Sequence, residues 1–280
     1  MMSITPHNLR ITWFLIVSGL LFLAYCYFES RWIKTTEIEI RSVDIPDSFD
    51  GSKIVFISDI HLGPYLSANR LSRIVDRINQ IKPDIILLGG DYVHYRNKYI
   101  EPVFKEFGKL RADCGVYGVL GNHDHYAGAD LTRKMMVNYG VKSIDNQSVL
   151  IKKGNDSIKI GGVGDLWRDV QVPENTEKGL TKSQFAILVS HNPDYLENIN
   201  TGLIDLTLSG HTHGGQITFF GWWAPILPSV HGQKYRYGLI DSGAMKSYIS
   251  SGIGTVILPF RFFCRPEIVV IRLRKTSKLQ

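Results

Sequence analysis

The sequence predicts an α/β domain carried behind one N-terminal membrane-spanning helix. Three observations lead there. Short apolar, β-rich runs alternate with stretches whose apolar residues recur at helical spacing, which is the signature of interleaved strands and helices. Several of those runs end on small residues and then on a side chain able to hold a metal ion. One stretch near the N-terminus, "ITWFLIVSGLLFLAYCYF" from Ile11 to Phe28, runs for 18 residues without a charge.

As a helix that stretch would reach about 27 Å, near the thickness of a hydrocarbon core. "ESRWIK" follows it with no small-x-small cleavage site, and the bulky Tyr25 before Cys26 argues against a lipoprotein box, so it reads as an uncleaved anchor. Arg10 precedes it and Arg31, Lys34 and Arg41 follow, a count that leans towards a cytoplasmic position for the domain behind it. The expected division is a tail over 1–10, the anchor over 11–28, a linker over 29–35 and one folded domain over 36–280.

The elements follow in order. "TEIEIRSVDIP" alternates Ile38, Ile40 and Val43 as a half-buried strand does, with one slip. "KIVFISDIH" is a buried strand ending on Ser58 and Asp59. "SANRLSRIVDRINQI" places Leu71, Ile74, Val75, Ile78 and Ile81 on one helix face, with Ser67 as its N-cap. "DIILLGGD" is a strand delivering Asp91, and "EPVFKEFGKL" a helix with Val103, Phe104, Phe107 and Leu110 in register. "GVYGVLGNHD" ends on Asn122, "FAILVSH" on His191 and "DLTLSGHTH" on His211. Between them "SVLIKKGNDSIKIGGVG" reads as a hairpin turning at Gly154-Asn155, and "HNPDYLENI" as a helix capped by Asn192 with Pro193 first. "EIVVIRLRK" is a last strand.

Bulk properties narrow the classes. With 280 residues, 44% hydrophobic and 21% charged, the chain can bury one large core and is not a disordered protein. A net charge of +6 suits an anionic substrate or a bilayer surface, but nothing in the chain reads as a nucleic-acid-binding module. Cys26, Cys114 and Cys264 lie far apart in no zinc or redox spacing and read as unpaired thiols, which favours a reducing compartment.

In open α/β sheets ligands sit beyond the carboxyl ends of the strands. Five strand ends here bring Asp59, His61, Asp91, Asn122, His123, His191, His211 and His213 to that edge. Carboxylate, imidazole and amide oxygen without thiolate suit Mn²⁺, Fe or Zn²⁺. There are too many ligands for one ion, whereas two ions about 3.5–4 Å apart sharing a carboxylate would use them. In an extended "HTH", His211 and His213 would point to the same side and each reach a different ion. His7, His94, His125 and His231 read as packed or surface residues, with His125 and His231 near enough in sequence to line a cleft.

The ordered set "SDIH", "GGDY", "GNHD", "SHNPD" and "GHTHGGQ" resembles the calcineurin-like metallophosphoesterase superfamily, over 36–274. The anchor and the tail "SYISSGIGTVILPFRFFCRPEIVVIRL" are similar to a membrane-associated bacterial branch that includes phosphodiesterases cleaving UDP-2,3-diacylglucosamine in lipid A synthesis. The resemblance implies a two-sheet β sandwich flanked by helices in four layers, at the bacterial inner membrane. It also implies that Asp59, His61 and His213 hold one divalent ion, that Asn122, His191 and His211 hold a second, and that Asp91 bridges them. His123 takes the place of the catalytic histidine, with Asp124 set to orient it. Some lipid A hydrolases of the superfamily carry arginine where this chain has His123, so the fit is to the histidine-bearing branch.

The implied reaction is hydrolysis of a phosphodiester or pyrophosphate bond, with a lipid-linked or nucleotide-sugar substrate, membrane lipids as surroundings and no protein partner. A nuclease, a general phosphodiesterase, a phosphomonoesterase and an inactive metal-binding scaffold are the alternatives. "TFFGWWAPILPSV", Thr218 to Val230, is either a core strand with a turn or a greasy lip at the cleft, with Phe219, Phe220, Trp222 and Trp223 touching the bilayer or acyl chains. Arg236 and Arg261 read by default as surface cations and otherwise as candidates to hold a second phosphate.

Overall fold

The computed structural model describes residues 6–243 and 245–277. It opens with α1 (Pro6–Glu29), an apolar helix almost wholly exposed outside its last turn. The chain continues through β1 (Lys34–Ser42), β2 (Lys53–Ile57), α2 (Ala68–Ile81), β3 (Ile85–Leu88), α3 (Ile100–Phe107), β4 (Val116–Gly118), α4 (Asn122–Asn138) and β5 (Val141–Ser143). Then come β6 (Ser148–Lys153), β7 (Asp156–Gly162), α5 (Glu174–Glu177), β8 (Ala186–Val189), β9 (Leu206–Ser209), β10 (Gly238–Asp241), β11 (Lys246–Ile249) and β12 (Glu267–Lys275).

Two six-stranded sheets face each other, ordered β1-β12-β2-β3-β4-β5 and β10-β11-β9-β8-β7-β6. β2, β3, β4 and β5 are parallel, as are β7, β8, β9 and β11, while β12, β6 and β10 supply the antiparallel pairings. The central strands are apolar on both faces because both are covered. In β2, Ile54 and Phe56 enter the layer between the sheets, and Val55 and Ile57 meet Leu71, Ile74 and Phe104 of the helical layer. The sandwich flanked by helices is therefore present, with unequal outer layers. α2, α3 and α4 cover one side; on the other, α5 and a 3-10 turn over Pro193–Asn198 enclose a small cluster around Leu188 and Tyr195.

Ser67 caps α2 by accepting the Arg70 amide, as its position predicts. "HNPDYLENI" departs from the α-helix expected of it. Asn192 does cap, accepting the Asp194 amide, but the turn stays 3-10 throughout. α1 ends four residues before β1 begins, and the intervening turn is not free: Ser30 is buried and its carbonyl accepts from the Arg70 guanidinium at 2.8 Å.

Candidate metal centre

The strands end in parallel at one edge, and there the backbone leaves ordinary geometry. Asp59, His61, Asp91, His211 and His213 all have φ between 48° and 67°, the left-handed region that side chains with a Cβ disfavour. Strain of this kind persists only where surrounding structure imposes it. Here the imposition is hydrogen bonding: the Asp59 carboxylate accepts the His211 amide at 3.0 Å, and the Asp91 carboxylate accepts the His123 amide at 2.8 Å. This corrects the expectation of an extended "HTH". Thr212 is right-handed between two left-handed histidines, so His211 and His213 part by a tight bend instead of by strand alternation. Glycine is needed beside them, because a Cβ on Gly210 would stand 2.4 Å from Asp59 Oδ2 and one on Gly121 2.3 Å from Asp91 Oδ1.

Two groups of donor atoms join carboxylate to imidazole, each within 4.8 Å: Asp59, His61 and His213, and Asp91, His191 and His211; a third, all imidazole, is His61, His94 and His123. His61 Nε2 lies 3.1 Å from His213 Nε2, and His213 Nε2 lies 3.6 Å from Asp59 Oδ1. His191 Nε2 lies 3.2 Å from His211 Nδ1. One carboxylate oxygen joins the groups: Asp91 Oδ2 is 3.5 Å from His61 Nε2 and 3.4 Å from His191 Nε2. Asn122 Oδ1 is buried without a hydrogen-bond partner, an orphaned acceptor of the sort a cation satisfies. These residues fit a pair of divalent ions.

The electrostatics agree. Burial holds His61 and His213 well below the ordinary imidazole value and His211 down to about 3, keeping them as neutral lone-pair donors. Burial also raises Asp59 to about 6. For His191 burial opposes the charged form, but the carboxylates of Asp91 and Asp59 outweigh it and hold the imidazole well above its usual value. Its Nδ1 lies 2.7 Å from the Gly89 carbonyl, which takes that N–H and leaves Nε2 facing the donor group. A cation arriving there must displace a proton.

His123 is 7% exposed, with its ring centroid 4.5 Å from that of His61, and its Nδ1 meets the backbone carbonyl of His94. Asp124 does not orient it. The Asp124 carboxylate instead accepts the amides of Asp91 at 2.8 Å, Tyr92 at 2.9 Å and Gly121 at 2.9 Å, so it clamps the loop that carries Asp91. The residue that positions His123 is thus His94, which the sequence offered only as a packed histidine. No local motif marks it, because it acts through its main chain.

A cavity of about 560 Å³ opens over Asp91, Asn122, His123, His211 and His213. Its apolar wall is Ile217, Ile226, Leu227, Val256 and Ile257, rather than the expected Phe219, Phe220, Trp222 and Trp223, which do not line it. Those four aromatics are not core either: they are 48% to 84% exposed beside the base of α1. Trp167, absent from the sequence reading, also lines the cavity, its ring centroid 4.4 Å from that of His211. Its signal was the end of β7, whose "GGVGD" stops at the same edge as the other strand ends. Neither arginine is placed to take a phosphate. Arg261 is fully buried and donates to the carbonyls of Ser251, Gly254 and Cys264 at 2.8, 2.6 and 3.1 Å, because a guanidinium without a carboxylate must spend its N–H groups on the backbone. Arg236 donates to the Gly221 and Gly214 carbonyls at 2.7 and 3.3 Å.

Comparison with known proteins bears on the same residues. A profile of the calcineurin-like phosphoesterase family matches residues 52–215. The chain is 35% identical over 256 residues to the metallophosphoesterase YkuE of Bacillus subtilis, covering 90% of this chain and 89% of that one. It is 30% identical over 261 residues to the phosphodiesterase YaeI of Escherichia coli, covering 91% and 93%. A transmembrane protein with a metallophosphoesterase domain from Danio rerio is 28% identical over 256 residues, 86% of this chain and 57% of that one. With the family profile reaching from β2 to the histidine bend, and relatives aligned nearly end to end, the chain belongs to the calcineurin-like phosphoesterase family and is a metal-dependent hydrolase of phosphoesters.

Proposed function

We propose that the chain is a membrane-anchored phosphodiesterase or pyrophosphatase that uses two divalent ions, Mn²⁺ first among them, on a lipid-linked or nucleotide-sugar substrate. One observation carries the two-ion reading: Asp91 Oδ2 stands about midway between the imidazoles of two separate donor groups, at 3.5 and 3.4 Å. Asp59, His61 and His213 would hold one ion and Asn122, His191 and His211 the other, with Asp91 spanning them. Such a pair supplies a hydroxide nucleophile near neutral pH and offsets charge on the phosphoryl oxygens.

The chain's own residues do the rest. His94 holds His123 by Nδ1, leaving Nε2 for the substrate. In its protonated form that nitrogen donates to a phosphoryl oxygen or to the departing oxygen. The apolar wall at Ile226, Leu227 and Ile257 suits an acyl or other greasy portion of the substrate. The name of YaeI, a phosphodiesterase, favours a diester over a monoester. UDP-2,3-diacylglucosamine, cleaved to UMP and the monophosphorylated lipid, is the specific candidate. The α1 helix, with 23 residues from His7 to Glu29 suited to a bilayer, would keep the enzyme at its substrate, in the inner membrane with the domain on the cytoplasmic face.

The test is a panel with the purified full chain and Mn²⁺, spanning that lipid, simple phosphodiesters, phosphomonoesters and oligonucleotides. UMP release from the lipid is expected. Cleavage of simple diesters with the lipid untouched would end the lipid assignment, and a salt-steep preference for oligonucleotides would replace it with a nuclease.

A further inference from the structure

We propose that two loops, 217–227 and 256–263, form a second membrane contact that seats the domain on the bilayer crossed by α1, with the mouth of the cavity at the lipid interface. The inference rests on reading α1 as a membrane span and adds a surface to it. Outside α1, large apolar side chains are exposed in unusual concentration here: Phe219 63%, Phe220 64%, Trp222 84%, Ile226 77%, Ile257 79% and Phe263 44%. An exposed patch of this kind on a folded domain marks an interaction surface.

Its position relative to α1 names the occupant. The Phe22 ring packs against Phe262 at 4.9 Å, the Arg261 amide donates to the Cys26 carbonyl at 3.0 Å, and the Glu29 carboxylate accepts the amides of Phe263 and Cys264 at 3.1 and 2.7 Å. The loop is thus bonded to the last two turns of the helix. Phe22 precedes Phe28, the last apolar residue of the span, by six residues, about 9 Å of helix rise. When α1 crosses a bilayer, Phe262 is held at the depth of the boundary between acyl chains and headgroups. The second loop is pinned to the first: the Thr218 amide donates to the Phe262 carbonyl at 3.0 Å, and the rings of Phe220 and Phe263 lie 5.1 Å apart. Phe219, Phe220 and Trp222 therefore project beside the anchor, where water would meet them only if the membrane were absent.

Charge agrees with a lipid surface. At the helix end Arg31 stacks on Tyr27 at 3.3 Å and Arg265 on Trp32 at 3.8 Å, the mixture of cations and aromatic rings found at the headgroup level. The same loops turn Ile217, Leu227 and Val256 inward to the cavity above the donor groups. A phosphoester at headgroup height would then reach the centre sideways, with its acyl chains still in the membrane.

The test uses the full chain in nanodiscs of phosphatidylcholine and phosphatidylglycerol, in a Cys114→Ser background that leaves only the buried Cys26 and Cys264. Single cysteines at Trp222→Cys, Ile257→Cys, Phe14→Cys and Val137→Cys carry a polarity-sensitive fluorophore. Val137 is the reference: it is 74% exposed near the C-terminal end of α4, beyond the break at Gly128 and away from the Asn122 edge. Acyl-brominated lipids should quench the dyes at Phe14, Trp222 and Ile257 several-fold more than at Val137, and aqueous iodide should show the reverse order. If Phe14 is quenched while Trp222 and Ile257 behave like Val137, the docking surface is refuted and the anchor stands. If Phe14 also escapes bromine, the anchor reading and this proposal fall together. Protection of Trp222 and Ile257 from both quenchers would mean that protein, a partner or a second copy, covers the patch, which also refutes it.

Discussion

His123 and Asp124 are neighbours in sequence with separate duties, and substitution should part them. His123→Ala removes a group that touches only a carbonyl and other rings, so both ions should stay bound while kcat falls by about 10²- to 10⁴-fold. Metal analysis beside steady-state kinetics checks this; equal rates in variant and parent would remove the imidazole from the mechanism. Asp124→Asn turns an amide N–H₂ towards one or more of the three main-chain N–H groups that now share the carboxylate, costing about 1–3 kcal/mol and loosening the Asp91 loop. Metal content should fall in that variant together with melting temperature. Asp145 gives a pH signature away from the centre. It is buried, accepts the Leu120 amide at 2.9 Å, and burial raises it to about 6. The native state therefore holds this proton more tightly than the unfolded chain, so the contribution of Asp145 to stability is fully present below the ordinary carboxylate value and is lost as pH rises through about 6. Asp59 and Asp205, also raised to about 6 by burial, lose theirs in the same window, so in chelator-treated protein Asp145→Asn should show a shallower decline, by an amount of order 1–3 kcal/mol by pH 7 in denaturant titrations.

At the level of elements, the legible parts were those whose pattern is local. β2, β3, β8 and β9 announce themselves as apolar runs, and α2 by its single buried face and Ser67 cap. α4 did not, because "NHDHYAGADLTRKMMVN" begins with donor residues in place of an apolar stripe and is broken by Gly128 at φ 135°. The loops after the strands were legible in composition but not in shape. Glycine before a ligand signals crowding; which atoms crowd it is a tertiary fact. Gly121→Ala should therefore cost more than an ordinary loop substitution, since the new Cβ meets Asp91 Oδ1 at 2.3 Å and His191 Cε1 at 2.7 Å. Loss of at least one ion by elemental analysis is expected, and retention of both with full activity would show that the loop yields freely. Arg261 is neither a surface cation nor a phosphate holder: it is buried and ties the carbonyls of Ser251, Gly254 and Cys264 together beneath the His213 loop.

For the molecule as a whole, the donor groups make folding and ion binding one equilibrium. Neutral buried imidazoles and an ionised Asp91 stand ready, yet His191 keeps a proton that an ion must expel. Calorimetry in buffers of different ionisation enthalpy should show proton release when Mn²⁺ binds, with affinity weakening as pH falls. Chelation should lower the melting temperature and Mn²⁺ restore it, since a ligand at a thousand times its Kd stabilises by about 4 kcal/mol. The sequence alone determined the fold class, an N-terminal helix apolar enough to span a bilayer, and the set of residues that gather at the strand ends. Periodicity, uninterrupted apolar length and donor chemistry are properties of short segments, readable without knowing their neighbours. Only the tertiary structure decided that His94 holds His123, that Asp124 clamps a loop, that Arg261 is buried and that the aromatic stretch lies beside the anchor. Most of those depend on partners tens or hundreds of residues away, and even for Arg261, whose carbonyl partners lie 3 to 10 residues off, burial and hydrogen-bond satisfaction are settled only once the packed chain leaves the group no other partner.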